Sequence, residues 1–431
     1  MTKHVDPPYN TSLLLYGPNS MTRTLSNTEQ LIYSIDQLIS ENFASIMQFS
    51  GNISIEQISR AAEYLTRCHP LLQAHLNFNK GIPEYEIDNT STIPIIIIKE
   101  AEASLWEIIA TEINRPFNYT KSPLARLLFI PGDKYSNLIL ITHHAISDGT
   151  ATSEFLIDLL ETAEKIICNL PFKHQYFEMR PSVESLLEIP KNETSFLKLK
   201  SKENKSYEDQ KIYHESLPEL YFKKIIQYGK ENKISLHPIF CAIFCATLSE
   251  FTPEKFDTIH CLSPVDLRPF FKAFVNNKEF GYFLSRLNTQ IPNNKNTNLK
   301  TLAENFKNAL LKDFESKKQF EMLSAIEYIS EYIDASPDNL LELIKFQHPC
   351  VLISNLGVLS NKDNLIVEKI HFAFNCNTIL NNPYSLALVI STVKNKIFMN
   401  FHYPKNTGLV HEKFMSRFIK NIEKLTDNIR S

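Results

Sequence analysis

Residues His143, His144, Asp148 and Gly149 stand as H-H-x-x-x-D-G within the stretch LILITHHAISDGTATSEFLIDLL, residues 138–160. Histidine occurs 13 times in 431 residues, and this is its only adjacent pair. Such a pair could bind a metal, move a proton or simply fill space. Neighbouring side chains on a strand point to opposite faces, so the two imidazoles cannot both reach one ligand while the strand persists. Zinc ligands on one strand or helix are spaced to share a face, so no metal is expected here. Ser147 as a nucleophile with His144 as its base lacks the G-x-S-x-G elbow that would present the hydroxyl. A proton-moving histidine remains, weighed against the plain alternative of two hydrogen-bonded core residues.

The elements that must hold this group follow from apolar spacing. LARLLFI (124–130), the turn PGDKYSN and LILITHH (138–144) read as strand, turn, strand, apolar enough to lie inside a sheet. Beyond Gly149, Phe155, Leu156, Leu159, Leu160, Ala163, Ile166 and Ile167 recur at helical spacing, with Asp148 where an N-cap belongs. Residues 54–68 form another amphipathic helix, with Ile55, Ile58, Ala62 and Leu65 on one face and a capping box from Ser54 and Gln57. Strand-like runs at 84–88 and 93–98 and a helix at 103–113 complete the first half. The charged, weakly periodic residues 191–215 read as an exposed connector. In the second half, helices are expected near 218–231, 236–250, 299–315, 321–333 and 409–427. A strand lies in TIHCLSPVDLRP (258–269), and two more flank a tight turn at Lys394–Lys396. The parse is two α/β lobes with mixed sheets, 1–190 and 216–431, joined by 191–215.

The bulk numbers agree with this parse. A chain of 431 residues suggests roughly two domains. With 43% hydrophobic and 22% charged residues it is expected to be soluble and well buried. A net charge of -3 argues against electrostatic capture of nucleic acid. Seven scattered cysteines without C-x-x-C spacing suggest neither a disulfide framework nor a structural zinc site, and a reducing compartment fits. The N-terminus MTKHVDPPYN lacks the apolar core of a secretory signal. No apolar run approaches the roughly 20 residues of a membrane span. A cytoplasmic monomer without a transmembrane segment is therefore expected. Only 9 glycines occur, which makes Gly149, Gly281 and Gly357 informative.

H-H-x-x-x-D-G at a strand-to-helix junction resembles the condensation-domain and chloramphenicol acetyltransferase-like acyltransferase superfamily. Other blocks resemble it in order over nearly the whole chain: LSNTEQ (25–30), RAAEYLTRCHPLLQAHL (60–76), RPFNYTKSPLARLLFI (115–130), SPVDLRP (263–269), FGYFLSRLNT (280–289) and VLISNLGVL (351–359). The likeness is greatest to free-standing polyketide-associated acyltransferases and alcohol acyltransferases, and the plant-type DFGWG block is absent.

The resemblance implies two chloramphenicol acetyltransferase-like lobes around a central channel. It also implies transfer of an acyl group from a thioester to a hydroxyl acceptor, with His144 as general base and His143 in support. The donor would be acyl-CoA or a phosphopantetheinyl carrier protein, with no tightly bound cofactor. No G-x-D-S attachment serine occurs in the chain, so a carrier would act in trans. Asp148 would be structural and paired with an arginine, Arg268 first and Arg286 second. Gly149 would either let a backbone N–H approach the reacting centre or relieve the turn. Ser354 and Asn355 would donate to an oxyanion, or Asn355 to Gly357 would be only a turn, with Asn375 a weaker donor candidate. Two alternatives stay open: a free-standing condensation enzyme forming an amide with an amine acceptor, and a catalytically silent module that binds a carrier protein.

Overall fold

The computed structural model describes residues 22–79, 82–99, 104–189, 210–295, 298–321, 323, 348–360, 366–375 and 382–427. The N-terminal MTKHVDPPYN, residues 191–209 of the charged connector, most of the helix expected at 321–333 and Cys376 lie outside the described residues.

The first sheet runs in the order Val367–Phe374, Asn42–Ser50, Tyr135–His143, Ala125–Ile130, Ile95–Ile97. All its pairs are antiparallel except the last. The histidine-bearing strand is central, and its alternate residues feed two cores, as the two-residue period of a strand requires. Leu138 and Leu140 join Leu65, Phe155 and Leu159 of the helices Ile55–Cys68 and Gly149–Ile167 on one face. Ile139 and Ile141 join Ile109 and Ile113 of the helix Leu105–Asn114 on the other. The expected Ser54–Gln57 capping box is present, and two more occur at Ser26–Glu29 and Ser104–Glu107.

The second sheet runs in the order Leu284–Pro292, Thr258–Asp266, Cys350–Ser360, Leu386–Val393, Lys396–Tyr403, Lys211–Leu217. Cys350–Ser360 lies parallel to both of its neighbours, and the remaining pairs are antiparallel. Helices Leu236–Phe251 and His411–Thr426 cover one face, where Phe244 and Phe418 stack at 4.4 Å. A small antiparallel sheet of Thr22–Thr24, Glu84–Ile87 and Ala74–Asn77 completes the molecule. The expected α/β architecture with two mixed sheets is what the chain adopts.

Strand pairing crosses the expected division of the sequence at two places. Val367–Phe374, from the second half, pairs with Asn42–Ser50 in the first sheet. Lys211–Leu217 begins inside the charged stretch and forms the edge strand beside Lys396–Tyr403. An edge strand tolerates charge because one side stays solvated, which is why its residues read as connector. Among the described residues no single helix is long and apolar enough to cross a membrane.

Candidate active site

The strand Tyr135–His143 ends at the first histidine, and a single 3₁₀ turn, His144–Ile146, carries the second. The two rings diverge as the strand period demands. His143 is fully buried, stacked on Tyr33 at 4.3 Å with Tyr119 edge-on at 5.7 Å. Its Nδ1 accepts from the Ala145 N–H at 3.2 Å, and its Nε2 lies 3.8 Å from the Asp36 carboxylate. Tyr119 donates its hydroxyl to the same carboxylate. His143 is therefore enclosed by the first sheet and its helices, with its buried Nε2 facing Asp36 beyond hydrogen-bond distance.

His144 is only partly covered and lies at the seam of the two lobes, between Phe43 at 4.7 Å and Tyr282 at 5.2 Å. Its Nδ1 lies 2.9 Å from the Ser147 carbonyl oxygen. A carbonyl only accepts, so Nδ1 must carry the hydrogen and Nε2 is left with its lone pair. Burial pulls the imidazole pKa below its ordinary value, against the opposing effects of the Ser147 carbonyl and the Asp148 charge. The ring is thus neutral at pH 7 and basic at Nε2. Ser147 is turned away from it, its hydroxyl 2.6 Å from that of Thr142.

Asp148 caps the helix Gly149–Ile167, accepting from the Ala151 N–H at 3.0 Å. Arg268 meets the same carboxylate with both terminal nitrogens, at 2.8 and 3.2 Å. The pair is buried, Asp148 at 0% and Arg268 at 7% exposure, and Arg268 also reaches Asp266 and the Glu279 carbonyl. Between the two arginines considered, the structure brings Arg268 to Asp148. Arg286 lies on Leu284–Pro292, where its charge acts on Glu41, Tyr282 and Cys350. A Cβ added at Gly149 would stand 2.9 Å from Leu356 Cδ2, so the glycine admits the bulge of the second sheet against the helix start. That is a close approach by a side chain.

The bulge itself lies between Asn355 and Val358, with Gly357 at φ +68°. Asn355 Oδ1 accepts from the Gly357 N–H at 3.0 Å, which is the turn reading of this block. Ser354 is half-buried on the strand just before the bulge. Asn375 donates to Asn114 at 2.8 Å, bridging the first sheet to its helix. Among the described residues no three His, Cys, Asp or Glu side chains converge to hold a metal. Sequence reasoning singled out none of Tyr33, Asp36 and Tyr282, which the fold gathers around the histidine rings. Tyr282 stands inside the block FGYFLSRLNT (280–289), and Tyr33 and Asp36 lie on the helix Asn27–Asp36, which begins inside LSNTEQ.

Two mixed sheets meet at a seam, with a partly covered histidine at the junction and a buried Asp–Arg pair beside it, in a two-lobed α/β fold. A family model described as phthiocerol/phthiodiolone dimycocerosyl transferase C-terminus matches residues 222–397. The chain superposes on the trichothecene 15-O-acetyltransferase of Fusarium sporotrichioides with a TM-score of 0.69 at 13% identity, covering 94% of this chain and 95% of that one. It superposes on polyketide synthase associated protein 5 of Mycobacterium tuberculosis with a TM-score of 0.66 at 16% identity, covering 94% and 98%. In sequence it is 28% identical over 154 residues to vanchrobactin synthetase of Vibrio anguillarum, 32% of this chain but 5% of the synthetase. These likenesses support the resemblance to the condensation-domain and chloramphenicol acetyltransferase-like acyltransferase superfamily, in fold over nearly the whole chain and in sequence over residues 222–397.

Proposed function

We propose that the protein is an acyltransferase that moves an acyl group from a thioester to a hydroxyl acceptor, with His144 as general base. The observation that carries this reading is the Nδ1–Ser147 hydrogen bond at 2.9 Å, which fixes the tautomer with a free Nε2. An alcohol is a weak nucleophile at neutral pH, and a base that takes its proton during attack remedies this. His144 Nε2 accepts the hydroxyl proton as the acceptor oxygen bonds to the thioester carbonyl carbon. The tetrahedral oxyanion collapses, the C–S bond breaks, and the imidazolium returns the proton to the departing thiolate. Atoms and charge balance, and the enzyme ends as it began.

The Asp148–Arg268 pair acts as a lock on the turn that presents His144, not as a relay. Asp148 already caps a helix and binds an arginine, which leaves it no route to the ring. His143 supports the strand end, and Gly149 lets the second lobe close on the helix start. Ser354 and Asn355 are both candidate donors to the oxyanion, because Asn355 accepts from the Gly357 N–H through Oδ1 and keeps its Nδ2 hydrogens to donate. Acyl-CoA or a phosphopantetheinyl carrier protein acting in trans would supply the acyl group, with no tightly bound cofactor. Donor and acceptor would enter the seam from opposite sides, between a first lobe completed by Val367–Phe374 and the second sheet.

The test is incubation with acyl-CoA and a panel of alcohols and amines, reading product mass and CoA release together. Ester and equimolar free CoA are expected. Amide formed faster than ester from matched acceptors would replace this reading by amide condensation. Absence of any product or CoA release, with acyl carrier protein donors included, would overturn it.

A further inference from the structure

Asp36 closes the helix Asn27–Asp36 and is 1% exposed. A carboxylate at a helix C-terminus opposes the macrodipole, and a buried one also gives up its hydration. A fold keeps such a group where its contacts offset both costs. Two of the contacts it makes lead to the base. Asp36 Oδ1 accepts from the Glu41 N–H at 2.7 Å, and the Glu41 carbonyl accepts from the His144 N–H at 2.9 Å. Two hydrogen bonds in series therefore tie this carboxylate to the main chain of His144.

The second route runs through the other histidine. Asp36 Oδ2 accepts the Tyr119 hydroxyl and lies 3.8 Å from His143 Nε2. On the far side of that ring, Nδ1 accepts from the Ala145 N–H at 3.2 Å and so caps the single turn that carries His144. Nδ1 accepts only while the ring hydrogen sits on Nε2. A carboxylate 3.8 Å away favours an N–H at Nε2 by charge alone, and in a buried site that attraction is little screened. Tyr33, stacked on the ring at 4.3 Å, keeps it from turning over. The adjacent histidines thus carry opposite tautomers, with Nε2–H on His143 facing Asp36 and Nδ1–H on His144 facing the Ser147 carbonyl.

We propose that Asp36 is a positioning residue for the base: its carboxylate sets the His143 tautomer that caps the turn at Ala145 and, through the Glu41 peptide, holds the main chain of His144. This rests on the acyl-transfer reading above and adds a residue to its site. Asp36 works on the side of His144 away from the Asp148–Arg268 pair, so the turn bearing the base is fixed at both ends. A base displaced by a fraction of an ångström meets the acceptor hydroxyl less often, which lowers turnover more than binding.

The experiment combines nitrogen NMR of histidine-labelled protein with acyl-transfer kinetics from acyl-CoA, using wild type, Asp36→Asn and Asp36→Leu. Ring resonances are assigned by their loss in His143→Gln and His144→Gln. Wild type should show hydrogen on Nε2 of His143 and on Nδ1 of His144. Asp36→Leu removes both contacts, so His143 should exchange between tautomers and kcat should fall by up to about a hundredfold, with KM within about twofold. Asp36→Asn can satisfy either the Glu41 N–H or the His143 N–H with its one carbonyl, so its loss of kcat should be smaller, about tenfold. Simple destabilisation would instead lower the melting temperature and leave the tautomers and the kcat of the folded fraction unchanged. Hydrogen on Nδ1 of His143 in wild type, a measurement that needs no variant to fold, would overturn the assignment. So would a kcat within about twofold of wild type in folded Asp36→Asn and Asp36→Leu. The expected tautomers, lost in Asp36→Leu but with no acyl transfer by wild type, would sink the acyl-transfer reading and leave the hold of Asp36 on the two histidines standing.

Discussion

Removing the arginine from the buried Asp148–Arg268 pair separates a structural lock from a catalytic relay. The pair has two contacts at 2.8 and 3.2 Å and almost no exposure, so solvent screens it little. Arg268→Ala leaves the Asp148 charge buried with only its helix-cap bond to Ala151, a situation that costs roughly 3–5 kcal/mol. Asp148→Ala leaves the guanidinium with only Asp266 and the Glu279 carbonyl, and it also removes the cap, which adds about 1 kcal/mol. The double variant removes both charges, so its loss should fall short of the summed single losses by about 2 kcal/mol or more. Urea unfolding reads this directly. The chain has a single tryptophan, Trp106, on the helix Leu105–Asn114, so its fluorescence follows the first lobe while far-ultraviolet circular dichroism follows the whole. Strictly additive losses would refute the pairing energy. An Asp148→Asn variant with wild-type stability but activity as low as His144→Ala would refute the structural role and make the aspartate catalytic.

Two further outcomes follow from packing and titration. Gly149→Val puts branched carbon where Leu356 Cδ2 would lie 2.9 Å from a Cβ, and should cost about 1–3 kcal/mol; adding Leu356→Ala should restore part of it, and no restoration would contradict the close-approach role. Burial holds His402 down to about 4, whereas unfolded histidine titrates near about 6.5. Between those values the unfolded chain binds a proton that the folded chain refuses, so this residue's contribution is intact above about pH 6.5 and is lost as pH falls. The drop in urea midpoint from pH 7 to pH 5 should therefore be smaller in His402→Phe than in wild type, and an identical drop would rule this out.

Local signals in the chain were readable where local physics decides them. The strand into His143, the helix from Gly149, the Ser54–Gln57 capping box and the Lys394 turn each depend on neighbours in sequence, and each forms. The Asp148–Arg268 contact spans 120 residues and came from the resemblance of two blocks, not from spacing. What stayed hidden was non-local. Val367–Phe374 looks like any half-apolar strand, and nothing in it says that it completes the first sheet. Lys211–Leu217 was masked by charge because an edge strand keeps one side wet. The stacking of Tyr33 on His143 is hidden because it joins segments far apart in sequence.

The central claim is that His144 removes the acceptor proton during acyl transfer. The direct measurement is the single-turnover rate of ester formation by wild type and His144→Ala across pH, at saturating acyl-CoA and acceptor. The account predicts a loss of roughly 10² to 10⁴ in His144→Ala, with its melting temperature little changed because the ring is only partly covered. In wild type the rate should fall on acidification with a midpoint below about 6.5, since burial lowers the His144 pKa and only the neutral ring accepts a proton. That dependence should vanish with the histidine. A folded His144→Ala protein that forms ester at the wild-type rate, with the same pH profile, would contradict the account.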